Sequence, residues 1–229
     1  MQKKIHVFAF VVIEAVLLWL VLFQSGDISS SAAFALVVCA FLFSLLSLRE
    51  KEKNCFVPCA LFFTVCADGW LVLGAPLTNF KQSMGMSFFI VAQFFYFLRL
   101  LQDNPKSKLN KINIWIRLPL VVIVETVTLL VLKEKTDYLS VVSMAYYVNL
   151  ILNVIFAFIQ FKKSPFLAVG FFFFLLCDTT IGLHFLADNI FSFPPEHIIS
   201  KFLAIPFNFT WATYGPSQVL LALSTTSDK

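Results

Sequence analysis

The chain has 229 residues, of which 59% are hydrophobic and 13% charged, with a formal net charge of +4. Average soluble domains are about 25% charged, so the composition places the chain in a membrane and argues against a soluble or nucleic-acid-binding domain. Five cysteines, all in apolar runs, do not make a disulfide framework.

A helix needs about 20 apolar residues to cross the hydrocarbon core. Eight segments qualify, near 5–24, 31–48, 55–74, 82–101, 114–132, 138–161, 165–186 and 198–223. The expected fold is therefore an all-α, polytopic membrane protein, one domain over 1–229. The first segment is expected to be a retained span, because its apolar run is long for a signal peptide and holds Glu14.

Lys and Arg set the orientation. The amino terminus, the 2–3, 4–5 and 6–7 connections with their flanks, and the carboxyl terminus hold thirteen of the seventeen. They are Lys3, Lys4, Arg49, Lys51, Lys53, Arg99, Lys106, Lys108, Lys111, Arg117, Lys162, Lys163 and Lys229. The other side holds Lys81, Lys133, Lys135 and Lys201. Both termini are expected to be cytoplasmic, as in a multi-pass protein of the cell membrane.

Within the third segment, "FFTVCADGWLVL" aligns with "FFFLLCDTTIGL" of the seventh on Asp68 and Asp178, 110 residues apart. The stretch "EAVLLWLVL" aligns with "ETVTLLVLK" on Glu14 and Glu125, 111 apart. Two segments with nearly one offset predict a duplication, about 1–110 and about 111–229. Four helices per unit give the halves the same orientation. Asp68 and Asp178 each follow a basic residue, Lys53 and Lys163, by fifteen positions, so they share one depth.

An aspartate near a bilayer centre costs roughly 3 kcal/mol on insertion scales, so these acids are expected to face an interior cavity. An unpaired carboxyl in such surroundings favours its neutral form, and some of the four are expected to hold a proton at neutral pH. Such groups serve as general acids, proton relays or hydrogen-bonded structural groups. Asp68 and Asp178 are the catalytic candidates; Glu14 and Glu125 stand between substrate contact and structure.

The sixth segment carries Ser143, Tyr146, Asn149, Asn153 and Gln160 on one face. This is either the wall of a headgroup cavity or an interhelical hydrogen-bonding seam. In the eighth, Pro206 and Pro216 are expected to bend the helix. Asn208, Trp211, Gly215 and Gln218 share a face there, and Tyr214 joins the set of contacts. The fourth adds Gly85, Gln93 and Tyr96. The substrate-contact candidates are thus Tyr146, Asn149, Asn153, Gln93, Asn208, Trp211, Tyr214, Gln218, Glu14 and Glu125. Cys55, Cys59 and Cys66 share a face but lack an accompanying histidine, and they are read as packing residues rather than metal ligands.

The stretches "LFFTVCADGWLVL", "GMSFFIVAQFFY", "GFFFFLLCDTTIGL" and "WATYGPSQVLLALS" resemble, in order and spacing, the YhhN-like membrane family, which includes the lysoplasmalogenases. Gln93 stands where that family often has His, and the second helix lacks its Lys-Pro pair. The resemblance implies an eight-helix hydrolase that cleaves the vinyl-ether bond of a lysoplasmalogen to a fatty aldehyde and a glycerophospho-base. It also implies Asp68 and Asp178 as the key acids. Vinyl ethers hydrolyse through protonation at carbon and capture of the oxocarbenium ion by water, a division of labour suited to two carboxyls and needing no metal or organic cofactor. The partners expected are the bilayer and a membrane lipid or lysophospholipid substrate, without nucleic acid. The alternative is a proton- or cation-coupled transporter, or a lipid-binding membrane protein that cleaves nothing.

Overall fold

A computed structural model describes residues 2–48, 55–73, 77–102, 107–189 and 193–226. Arg49, Lys51, Lys53, Lys106 and Lys229, which enter the orientation argument, lie outside the described residues. Nine α-helices, one 3-10 turn (Lys133–Lys135) and no strand are found among the described residues: α1 (Gln2–Phe23), α2 (Asp27–Leu48), α3 (Phe56–Val72), α4 (Asn79–Gln102), α5 (Lys108–Leu132), α6 (Tyr138–Ile159), α7 (Pro165–Asn189), α8 (Ile198–Leu203) and α9 (Phe209–Ser224). The all-helical expectation is borne out.

Six of these helices, α1, α2, α4, α5, α6 and α7, are long and apolar enough to cross a membrane. The α3 helix is apolar but has 17 residues, and α9 has 16. At 1.5 Å per residue they rise about 25 Å, short of a hydrocarbon core about 30 Å thick. Large apolar side chains point outward along the bundle, among them Phe8, Trp115 and Leu118, at 69, 79 and 73% exposure. Such surface in water would be prohibitive; lipid is its natural solvent.

Two boundaries depart from expectation. The last segment, expected as one helix over 198–223, is divided into α8 and α9 around Pro206. Asn208 then opens α9, its side-chain oxygen accepting from the Trp211 amide at 3.2 Å. Proline supplies no amide and clashes with the preceding turn, and a side-chain cap offers a new start. Pro216, by contrast, is held inside α9. The fifth segment begins six residues earlier than expected, because Ser107 caps α5 by accepting from the Leu109 amide at 3.1 Å. Asn110 and Asn113 in its first turns are buried. They are hydrophilic in sequence yet interior in the fold.

The helices pack as α1 on α2, α2 on α3 and α3 on α4, and again as α5 on α6, α6 on α7 and α7 on α9. The two series join where α4 meets α6 and α2 meets α9, with α1 and α3 also touching α9. At α3–α4, Gly85 approaches Leu71 so closely that a Cβ would fall 2.6 Å from its Cγ; at α7–α9, Gly170 faces Leu221. Small residues let helix backbones approach where no hydrophobic force drives association. One apolar core runs through the bundle, including Leu36, Leu61, Leu150, Phe171, Phe174 and Leu221, all buried.

Candidate functional site

The third and seventh helices bring their aspartates to one place. Asp68 on α3 is 4% exposed, and Tyr214 on α9 donates its hydroxyl to Asp68 Oδ2 at 2.6 Å. Asp178 on α7 is partly buried and accepts a hydrogen bond at Oδ2 from the hydroxyl of Tyr146 on α6. The two carboxyls interact electrostatically, and Tyr146, Tyr214 and the buried Cys177 lie within the same field. Each acid therefore has a buried phenol on one oxygen, and the two pairs form one cluster.

Aromatic side chains enclose the cluster. Phe89 on α4 contacts the Tyr146 ring, with centroids 5.6 Å apart, and meets Phe174 edge-on at 5.8 Å. Phe174 in turn meets Tyr214 at 5.4 Å, and Trp211 meets Tyr214 at 5.3 Å. Rings packed edge to face hold the phenols in fixed orientations and keep the surroundings apolar. A hydroxyl–carboxyl bond is strengthened by such surroundings.

The other candidates divide into separate places. Asn149, Asn153 and Gln93 gather around Arg117 rather than around the aspartates. The Arg117 guanidinium donates to Asn149 Oδ1 at 2.9 Å and to Asn153 Oδ1 at 2.7 Å, and Asn153 Nδ2 donates to Gln93 Oε1 at 2.8 Å. The face of α6 read as continuous in sequence thus serves two clusters, Tyr146 in one and the two asparagines in the other. Gln218 is fully buried and donates to Ser217 at 3.2 Å. Asn208 is exposed at the start of α9 and lines a small pocket with Thr180, His184 and Phe202, a lining that includes neither aspartate. Trp211 meets the cluster at the Tyr214 ring.

Glu14 is 2% exposed on α1, and neither carboxyl oxygen has a hydrogen-bond partner; its charge is felt at Cys39 of α2. Glu125 is partly buried on α5 beside the α6 backbone at Ala145. Both glutamates therefore sit at corresponding seams, α1–α2 and α5–α6, and apart from the aspartate pair. All five cysteines carry free thiols.

Residues that sequence reasoning passed over are Arg117, Asn113, Phe89, Phe174 and Cys177. Three residues into a segment beginning at 114, Arg117 reads as part of a cytoplasmic flank. With the helix starting at Lys108, the guanidinium lies well inside it. The signal was available: Asn113 and Arg117 are four apart, on one helical face, and both polar.

A model of the YhhN family matches residues 28–225, nearly the whole chain. The chain belongs to the YhhN family. Comparison with curated proteins and with solved structures returns no match. Family membership agrees with the resemblance carried by the two aspartate stretches, and both acids fall within the matched region.

Proposed function

We propose that this YhhN-family protein is an intramembrane hydrolase of the lysoplasmalogenase type, cleaving the vinyl-ether bond of a single-chain lipid with Asp68 and Asp178 as a carboxyl pair. The observation that carries the reading is the joint placement of the two acids, each on a tyrosine, in one aromatic-walled cluster. A structural role needs only one satisfied acid at a time. Two acids in mutual electrostatic contact suit chemistry that passes through a cation.

In this reading one carboxyl, protonated, delivers its proton to the outer vinyl carbon, and the oxocarbenium ion that forms is stabilised by the other carboxylate. Water adds to the cationic carbon and loses its proton to that carboxylate. The hemiacetal so produced collapses to the aldehyde and frees the glycerol hydroxyl. Positioned acid–base groups contribute typically 10²–10⁴-fold to such steps. Tyr146 and Tyr214 each occupy one oxygen of their acid and leave the second for substrate or water. The acids titrate as a pair, so the proton belongs to both until substrate distinguishes them.

The purified protein in detergent, given a lysoplasmalogen, is expected to release free fatty aldehyde, and to leave an ester-linked lysophospholipid intact. Uptake of the lipid into proteoliposomes without aldehyde would instead identify a transporter.

The membrane arrangement proposed with it has eight crossings, α3 and α9 being the two short ones, in two parallel four-helix halves with both termini in the cytoplasm. Matched packing in the two series of helices and the placement of both glutamates at like seams support the duplication. Single cysteines introduced into a cysteine-free background at Lys4, Lys108 and Lys162 are expected to react with a membrane-impermeant maleimide only after the cells are opened. Cysteines at Lys81 and Lys201 are expected to react in intact cells. Labelling of Lys162→Cys from outside would overturn this orientation.

A further inference from the structure

The Arg117 cluster has an excess of donors that the aspartate chemistry does not use. A guanidinium offers five N–H groups. Nε donates to Asn113 Oδ1 at 3.2 Å, Nη2 to Asn113 Oδ1 at 2.9 Å and to Asn153 Oδ1, and Nη1 to Asn149 Oδ1. One N–H on Nη1 remains. The Phe97 ring lies beneath the guanidinium, 4.1 Å from its centroid, and covers that face. Asn113 and Gln93 are fully buried, and each has its amide oxygen occupied while its amide nitrogen has no partner. The groups of this network left wholly without a partner are donors, Asn113 Nδ2 and Gln93 Nε2, and the cluster carries a formal positive charge with no carboxylate among the described residues bonded to it.

A partly buried cation balanced only by neutral amides is costly in lipid, and four hydrogen bonds to three amides with a ring face offset that cost only in part. An anion completes the arrangement. Arg presents the fork geometry that matches phosphate oxygens.

Position narrows the choice of anion. Asn149 and Asn153 follow Tyr146 by three and seven residues, so they lie about 4.5 and 10.5 Å further along α6. Arg117 bridges them and therefore sits between those two levels, measured from the Tyr146–Asp178 pair. In a lysoplasmalogen six bonds separate the inner vinyl carbon, where the cation forms, from phosphorus, about 7 Å when extended at the reach per bond of a polypeptide backbone. The two lengths agree. Access is also asymmetric: α1 is flanked by α2 and α9, whereas α5 rests mainly on α6 and presents most of its surface to lipid. Arg117 itself is only partly buried.

We propose that Arg117, with the free amide nitrogens of Asn113 and Gln93, forms a phosphate site that receives the headgroup phosphate of a single-chain lysophospholipid arriving from the bilayer beside α5. It rests on the hydrolase reading only for the lipid class; the donor surplus is independent of any reaction. Asn149 and Asn153 are positioning residues that hold the guanidinium, and the phosphate takes the remaining N–H groups.

The test uses lipids that the hydrolase cannot cleave, so binding is read apart from turnover. Purified full-length protein in detergent is titrated with a 1-O-alkyl-glycerophosphoethanolamine and with a 1-O-alkylglycerol of equal chain length. The phosphate-bearing lipid is expected to bind at least about tenfold more tightly, a difference of about 1.4 kcal/mol. Arg117→Gln and Gln93→Leu are expected to reduce that ratio towards one while leaving alkylglycerol binding unchanged. Inorganic phosphate at millimolar concentration, followed by thermal shift, separates the two sources of the anion: stabilisation comparable to that by the lipid identifies a site that free phosphate fills, and stabilisation by the lipid alone identifies a headgroup site. Equal affinity of the wild-type protein for the two lipids overturns the proposal even if Arg117→Gln does not fold. An undiminished ratio in both variants overturns it too. Aldehyde release with no phosphate preference would leave the hydrolase reading intact and remove this one.

Discussion

Asp68→Asn and Asp178→Asn are each expected to lower aldehyde release at least about a hundredfold, the lower bound of typical acid–base contributions. The amide keeps the shape of the carboxyl, and its oxygen still accepts from Tyr214 or Tyr146. The hydrogen bonds that join α3 to α9 and α6 to α7 therefore persist, and thermal stability is expected to change little. What disappears is the exchangeable proton on one side and the negative charge on the other. Because the pair acts as one unit, the double variant is expected to be little worse than either single one. Tyr146→Phe and Tyr214→Phe remove only the phenol and are expected to have smaller effects on turnover. Near-normal hydrolysis by both asparagine variants, measured with correctly inserted protein, would leave the aspartates as structural acids.

Asn153→Leu is expected to be the most damaging single change for stability in the Arg117 cluster. Asn153 accepts from the guanidinium and donates both to the Gln93 carbonyl at 3.0 Å and to its side-chain oxygen, joining α4, α5 and α6 through one residue. Neutral interhelical bonds in membranes average about 0.6 kcal/mol, because helices separated in lipid also find partners. A bond to a charged group contributes more, about 1.5–3 kcal/mol. Together the loss is about 3 kcal/mol, seen as a lower midpoint in thermal unfolding of the detergent-solubilised protein. Asn149→Leu removes one bond to Arg117 and is expected to cost less. Asn153→Asp keeps the acceptor and adds an opposite charge, so it is expected to restore most of the loss. A leucine variant as stable as the wild type would show that the network does not hold these helices together.

The helical class, the approximate positions of the long helices and the family were all legible in residue order. Long apolar runs admit few alternatives in lipid, where backbone groups must be satisfied within the segment. Asp68 and Asp178 were legible as candidates from their common offset, whereas the tyrosines that bond them were not. Helix ends were less legible where the local signal conflicted with the apolar pattern. Asn110 and Asn113 read as connection but are buried in α5, and Pro206 divides what composition presents as one helix.

By itself the sequence determined that this chain is all-helical, with helices long and apolar enough to cross a membrane and acids within them, because hydrophobic length and spacing along one helix are local quantities. Only the tertiary structure decided which polar groups meet. It paired Asp68 with Tyr214, 146 residues away, and Asp178 with Tyr146, 32 residues away, two partners at unrelated spacings. It also divided the polar face of α6 between the aspartates and Arg117. A helical face faces whichever neighbours the packing provides, and α6 lies against α4, α5 and α7 at once, so residues seven apart on one face meet different helices.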